Sequence, residues 1–205
     1  MGSAGTTAVN LILASASPRR QTLLARLGIP FQTVSPIYEE VCQPGETAED
    51  TCRRLAQEKA LHVAQRFPQD LVLGADTIVI LNNDILGKPA DLDDARRMLH
   101  LLSGKKHVVK TAVALIALEQ GHQSGFIETT EVTFQTLEQK EIEHYLAVEP
   151  PLDKAGAYGI QDWSGIFVQR VNGCYHNVVG LPLARLYQHL KDTGLWLRLL
   201  TINHL

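Results

Sequence analysis

Leu11-Ile-Leu-Ala-Ser-Ala-Ser-Pro-Arg-Arg20, continued by Gln21-Thr-Leu-Leu24, reads as a short apolar strand, a hydroxyl-rich turn and the opening of a helix. Ser17 stands at the N-cap position, and Pro18 occupies the first helical position, where proline is tolerated. Leu23, Leu24 and Leu27 supply an apolar face, and Gly28 is placed to end the helix. A strand that feeds a helix N-terminus is an anion site, because unpaired N–H groups and the helix dipole converge there. Ser15 and Ser17 add hydroxyls, and Arg19 and Arg20 add forked, permanently charged donors. The same residues also make an ordinary capped surface helix with two solvated arginines. Taken alone, the stretch leaves those two readings level.

Outward from this turn, Phe31–Val34 predicts a short strand and Ser35–Glu40 a loop at the rim. Thr47 caps a predicted helix running to about Phe67, with Cys52, Leu55, Ala56 and Val63 on one stripe. Lys59 falls in the middle of that stripe, where a lysine either snorkels past its neighbours or points into a cleft, snorkelling being the commoner outcome. Asp70–Leu81 is a core strand with an expected interruption at Gly74-Ala75-Asp76-Thr77. A carboxylate in so apolar a run is costly unless paired, hydrogen-bonded or metal-bound, which makes Asp76 the best catalytic candidate by residue chemistry. The alternative is a bulge or strand end at which Asp76 meets water. Asn82-Asn83 predicts a hairpin turn that brings Lys88 back near Asp76, although a lone lysine is more often solvated.

Asp91 caps a predicted helix to about Leu102, His107–Leu118 and Ser124–Gln135 read as antiparallel strands, and Glu138–Val148 as a helix. The segment 150–161 is a constrained loop with Gly156 and Gly159, in which Asp153 and Lys154 either serve a ligand or pair with each other. A closing hairpin is expected from Ile166–Val171 and Cys174–Val179, followed by a helix with Leu183, Leu186 and Leu190 inward. His176 has no second histidine at ligand spacing and reads as a structural or rim residue. The pattern is α/β: a mixed, partly antiparallel sheet flanked by helices.

A net charge of −3 on 205 residues argues against a nucleic-acid or anionic-membrane surface binder, so any phosphate site must be a local basic pocket. Three cysteines without Cys-x-x-Cys spacing fit a reducing compartment and give no zinc signature. No apolar run reaches membrane-spanning length. Residues 1–8 read as a flexible N-terminal tail ahead of one domain over 9–205, and the expected location is cytoplasmic. Cations for phosphates beside carboxylates for a divalent metal are the parts that nucleotide hydrolysis needs. Neither a P-loop nor a Gly-x-Gly-x-x-Gly motif is present.

Six motifs in order carry a resemblance: Ser15-Ala-Ser-Pro-Arg-Arg20, Gly74-Ala-Asp-Thr77, Gly87-Lys-Pro89, Ser103-Gly104 with His107, Asp153-Lys-Ala-Gly-Ala-Tyr-Gly-Ile-Gln161 and Val179-Gly-Leu-Pro182. Together they resemble the Maf family of nucleoside triphosphate pyrophosphatases, and the long loop resembles the branch that prefers dTTP and UTP. The resemblance implies an elongated fold with two lobes around a deep cleft, like that of inosine triphosphate pyrophosphatases. It also implies Mg²⁺ or Mn²⁺, a nucleoside triphosphate substrate cut to monophosphate and pyrophosphate, and a homodimer as a common assembly. By motif, Asp76 is the proton acceptor and a metal ligand, with Glu40 (or its neighbour Glu39) as a second ligand. Arg19, Thr77 and Gln161 match positions tied to substrate selection, and Ser15, Arg20, Lys59 and Lys88 match the phosphate-binding set.

One departure stands out. Relatives usually continue Gly-Ile-Gln with glycine, where this chain has Asp162-Trp163, and base selection is the property this touches. If the backbone there takes a positive φ, aspartate tolerates it better than most residues. Two rival readings are a weakly catalytic nucleotide-binding regulator of cell division and a phosphatase that releases terminal phosphate. The regulator would need the cradle without Asp76; the phosphatase would differ in its products.

Overall fold

The computed structural model describes residues 10–37, 43 and 45–200. Three long strands carry the architecture: β3 (Leu71–Leu81), β5 (Lys106–Ala117) and β6 (His122–Phe134). β1 (Leu11–Ala14) lies parallel to both β3 and β2 (Phe31–Thr33), while β4 (Asp84–Leu86), β5, β6 and β7 (Val168–Asn172) pair antiparallel with their neighbours. The order is β2-β1-β3-β5-β6-β7, with β4 on β3. The mixed sheet expected from sequence is present.

Side-chain alternation along β3 sorts the core. Leu71, Leu73 and Ala75 face one apolar cluster with α1 (Pro18–Ala25), α6 (Leu183–Asp192) and α7 (Leu195–Leu200). Val79 and Leu81, further along the same face, join a second cluster with α3 (Leu92–Leu102) and α4 (Gln139–Val148). Val72 and Ile78 point the other way, onto α2 (Ala48–Ala64). Between the two clusters of the first face stand Thr77 and its ladder partner Thr111.

β5 covers one edge of β3 from Val72 to Ile80. On the other edge β1 pairs through Gly74 and β4 begins at Val79. Among the described residues no strand pairs with 75–78 there, so the sheet carries a notch beside Asp76 and Thr77.

Two expectations are corrected. β3 is not interrupted at Gly74–Thr77: its ladder with β5 is continuous, because Asp76 projects from the sheet to an ionic partner and needs no bulge to reach water. Cys174–Val179 is no strand either. Gly173 turns at φ 131°, Thr130 Oγ1 accepts the Cys174 N–H at 3.0 Å, and the chain leaves the sheet to form α5 (Tyr175–Val179). The β-branched pair Val178-Val179 imitates a strand, while a buried Asn177 secures the helical turn. α7 was not anticipated from sequence.

Candidate active site

Thr47 caps α2 by accepting the Asp50 N–H at 3.2 Å, and the face bearing Cys52, Leu55, Ala56, Lys59 and Val63 is buried against the sheet. The approach is unusually close at Gly74, where a Cβ would lie 2.3 Å from the Ala56 carbonyl oxygen and 2.7 Å from the Ala60 nitrogen. Only glycine permits that contact. The consequence is the placement of Lys59, whose Nζ sits 2.5 Å from Asp76 Oδ1, with both side chains 9% exposed. Lys59 therefore does not snorkel; it is half of a buried ion pair. Two turns earlier, Cys52 Sγ donates to the Asp76 carbonyl at 3.4 Å. Burial, then the charge of Asp76, pushes the thiol up to about 12, so it remains protonated and unreactive.

At the C-terminal end of β1 the chain turns into α1. Ser15 is buried, and its Oγ accepts the Ser17 N–H at 3.1 Å. Ser17 occupies the N-cap position, but its hydroxyl makes no cap bond among the described residues. Arg20 reaches over the notch, donating from Nε to the Gly180 carbonyl (2.9 Å) and from Nη2 to Thr77 Oγ1 (3.0 Å). Thr77 Oγ1 also lies 3.0 Å from Thr111 Oγ1, which donates to the Asn177 carbonyl at 2.9 Å. Arg19 crosses to the opposite wall and meets Asp153 at 2.7 Å. Burial raises the Asp153 carboxyl, but the Arg19 bond and the charges of Arg19 and Lys154 outweigh it and hold the group below the ordinary range.

That opposite wall is the glycine-bearing loop. Gly156 takes φ 68° with its Cα against Val79, a position where a Cβ would crowd the valine methyls at 3.1 Å. Tyr158 is anchored by His107, whose Nε2 is 2.8 Å from the phenolic oxygen. Burial lowers His107 to about 4, keeping the imidazole neutral. Asp162 has φ −100°, so no left-handed conformation is demanded there. Its carboxylate fills the space that a Cβ on Gly159 would take, and Trp163 stacks on Tyr145 at 5.7 Å.

These walls enclose a cleft of about 540 Å³, within the range of nucleotide-sized sites. Among the described residues its lining carries five cationic side chains, Arg19, Arg20, Lys59, Lys88 and Lys154, against two carboxylates, Asp76 and Asp153. A mildly acidic protein thus holds the local basic pocket that its sequence required. The Maf-like protein profile matches residues 10–193.

The chain belongs to the Maf-like family.

The dTTP/UTP pyrophosphatase of Escherichia coli (strain K12) is 50% identical over 184 residues, covering 89% of this chain and 92% of the relative. A nucleoside triphosphate pyrophosphatase of Shigella flexneri matches at the same identity and coverage. Among solved structures, the Staphylococcus aureus Ham1 protein aligns with a TM-score of 0.45 at 14% identity, over 61% of this chain and 71% of its own. The Coxiella burnetii HAM1 protein aligns at 0.43 and 15%, over 62% and 73%.

Of the residues singled out from sequence, the Maf-like cleft brings together Ser15, Arg19, Arg20, Lys59, Asp76, Thr77, Lys88 and Gln161. Lys88 returns on the β3–β4 hairpin and is exposed, as is Gln161. Glu39 and Glu40 lie outside the described residues, as does the 1–8 tail. Asp153 and Lys154 pair with each other and also with further partners. His176 lies outside the cleft lining, its Nε2 3.4 Å from Arg26 Nη1. Thr111 and Asn177 were missed, and Gly180 was read only as part of a motif, without its carbonyl contact to Arg20. Thr111 sits in a β-branched strand with nothing to distinguish it, whereas an asparagine ahead of Val178-Val179 was a readable signal of a buried polar anchor.

Proposed function

We propose that this Maf-like protein hydrolyses pyrimidine nucleoside triphosphates, dTTP and UTP, to the monophosphate and pyrophosphate. The observation that carries the reading is the Lys59–Asp76 pair at the floor of a cation-lined cleft, beside the donor-rich turn at Ser15–Arg20. The 50% identity to the Escherichia coli dTTP/UTP pyrophosphatase supports the substrate class.

Asp76 is the proton acceptor: water loses a proton to its carboxylate, the oxygen joins phosphorus, and the bond between α and β phosphates breaks. Lys59 holds Oδ1, restricting the carboxylate to one orientation and offsetting polyphosphate charge. Ser15, the α1 N-terminus, Arg20 and Lys88 supply donors and charge to the phosphates. Thr77, Arg19 and Gln161 border the space left for sugar and base.

Among the described residues, no group of three or more His, Cys, Asp or Glu is placed to hold a metal ion. A site with few protein carboxylates suits Mg²⁺, which takes one or two of them together with substrate phosphates and water. Asp76 would hold the ion, with Glu40 as the second carboxylate. Once bound, it neutralises phosphate charge and polarises the scissile bond.

The test is product analysis with a panel of triphosphates and Mg²⁺, wild type beside Asp76→Asn. Monophosphate and pyrophosphate are expected from dTTP and UTP, with turnover roughly 10²–10⁴-fold lower in the variant and nucleotide binding retained. Diphosphate and phosphate as products would refute the reaction, and full turnover by Asp76→Asn would refute the base.

A further inference from the structure

Gln161 and Arg19 stand on opposite walls of the cleft, yet one buried ammonium lies between them. Lys154 is 7% exposed, and its Nζ is 3.2 Å from Glu149 Oε1 and 3.5 Å from both Asp153 Oδ1 and Asp162 Oδ2. Asp153 spends its other oxygen on Arg19 at 2.7 Å. Asp162 follows Gln161 directly, and its N–H closes a turn onto the Gly159 carbonyl at 3.0 Å. Glu149 uses its second oxygen to take the Trp163 N–H at 3.1 Å. Both residues that follow Gln161 are thus tied to Lys154, one directly and one through Glu149.

We infer that Lys154 is a positioning residue for base selection: it sets the spacing between Gln161 and Arg19 by gripping Asp162 and Asp153 at once. The inference rests on the proposed pyrimidine triphosphate reading and extends it. It also gives a purpose to the Asp162-Trp163 insertion of bulk and charge. The acidic side chain supplies a third carboxylate to Lys154, and the loop is fixed by an ion pair as well as by its turns. Three carboxylates held by one ammonium repel one another when it is removed, so Asp162 and Asp153 separate and both walls of the cleft loosen. A buried ion cluster with defined geometry confers positional specificity of this kind more readily than net stability.

The experiment compares wild type, Lys154→Met, Lys154→Arg, Asp162→Asn and the Lys154→Met/Asp162→Asn double variant. Each is assayed for KM and kcat with UTP and with GTP, and for binding of both by calorimetry. Lys154→Met should raise KM for UTP about tenfold and shrink the UTP-to-GTP preference by a similar factor, while kcat changes less. Lys154→Arg should restore most of the preference. Asp162→Asn should weaken it in part, and should add little in the Lys154→Met background, because the two act as one unit. An unchanged UTP-to-GTP ratio in Lys154→Met and Asp162→Asn, by turnover and by binding, would overturn the inference. Should Lys154→Met fail to fold, Asp162→Asn and Lys154→Arg decide it alone. Wild type that neither turns over nor binds pyrimidine triphosphates would instead fail the functional reading itself.

Discussion

Replacing Gly74 with alanine tests the link between helix packing and catalysis. The added methyl would sit 2.3 Å from the Ala56 carbonyl oxygen, against about 3.4 Å for ordinary contact, and the obstructing atoms include helix backbone that cannot rotate away. α2 must retreat by about 1 Å, which costs about 1–3 kcal/mol of overpacking. In a chain of 205 residues that is a fall in Tm of roughly 3–10 °C. The same retreat carries Lys59 outward, stretching a 2.5 Å contact with Asp76 to about 3.5 Å, beyond a good hydrogen bond. A shift of this size in a reacting group costs on the order of 10²-fold in rate. Thermal unfolding and UTP turnover, measured on the same preparation of Gly74→Ala, should both fall. Wild-type Tm with wild-type turnover would refute the packing argument. A lower Tm with undiminished turnover would show that Asp76 does not depend on the position of α2.

Two more outcomes concern stability. His107 stays unprotonated down to about pH 4 in the folded protein, because burial disfavours its charge, whereas the unfolded chain takes up the proton near pH 6.5. Between those values the unfolded state binds more protons, so acidification removes stability, about 2 kcal/mol between roughly pH 7.5 and pH 5. Urea unfolding of wild type against His107→Gln should show the flatter pH dependence in the variant; parallel curves would contradict the assignment. Asn177 is fully buried and donates to the Val109 carbonyl (3.0 Å) and Thr130 Oγ1 (2.9 Å). Asn177→Ala should cost about 2–3 kcal/mol in the same urea assay and raise KM, because α5 presents the Gly180 carbonyl to Arg20.

The site was legible where chemistry broke a local pattern. A carboxylate in the apolar run of β3 marked Asp76, and a lysine on the buried stripe of α2 marked Lys59, although nothing local could say that these oddities neutralise each other across 17 residues. The turn at Ser15–Arg20 was readable because strand, cap and helix signals are contiguous. What escaped depends on distant partners. Asn177 bonds to residues 68 and 47 positions away, and without those bonds its segment has the composition of a strand. The role of Arg20 was likewise only half visible: its charge could be read, its grip on Gly180 and Thr77 could not. Asp162 looked like a disturbance of the loop and proves to be one of its fastenings.

The continuity of the long strands beneath both helical clusters bears on motion. β3 and β5 pair without a break from Val72 to Ile80, and β5 and β6 from Lys106 to Ala117, so the floor of the cleft is one stiff plate. Drawing the two walls together as rigid bodies would require bending or twisting that plate. Local adjustment then falls to the loops carried on the plate, where side-chain ion pairs such as Arg19–Asp153 and Lys154–Asp162 tie one wall to the other and the loop to itself.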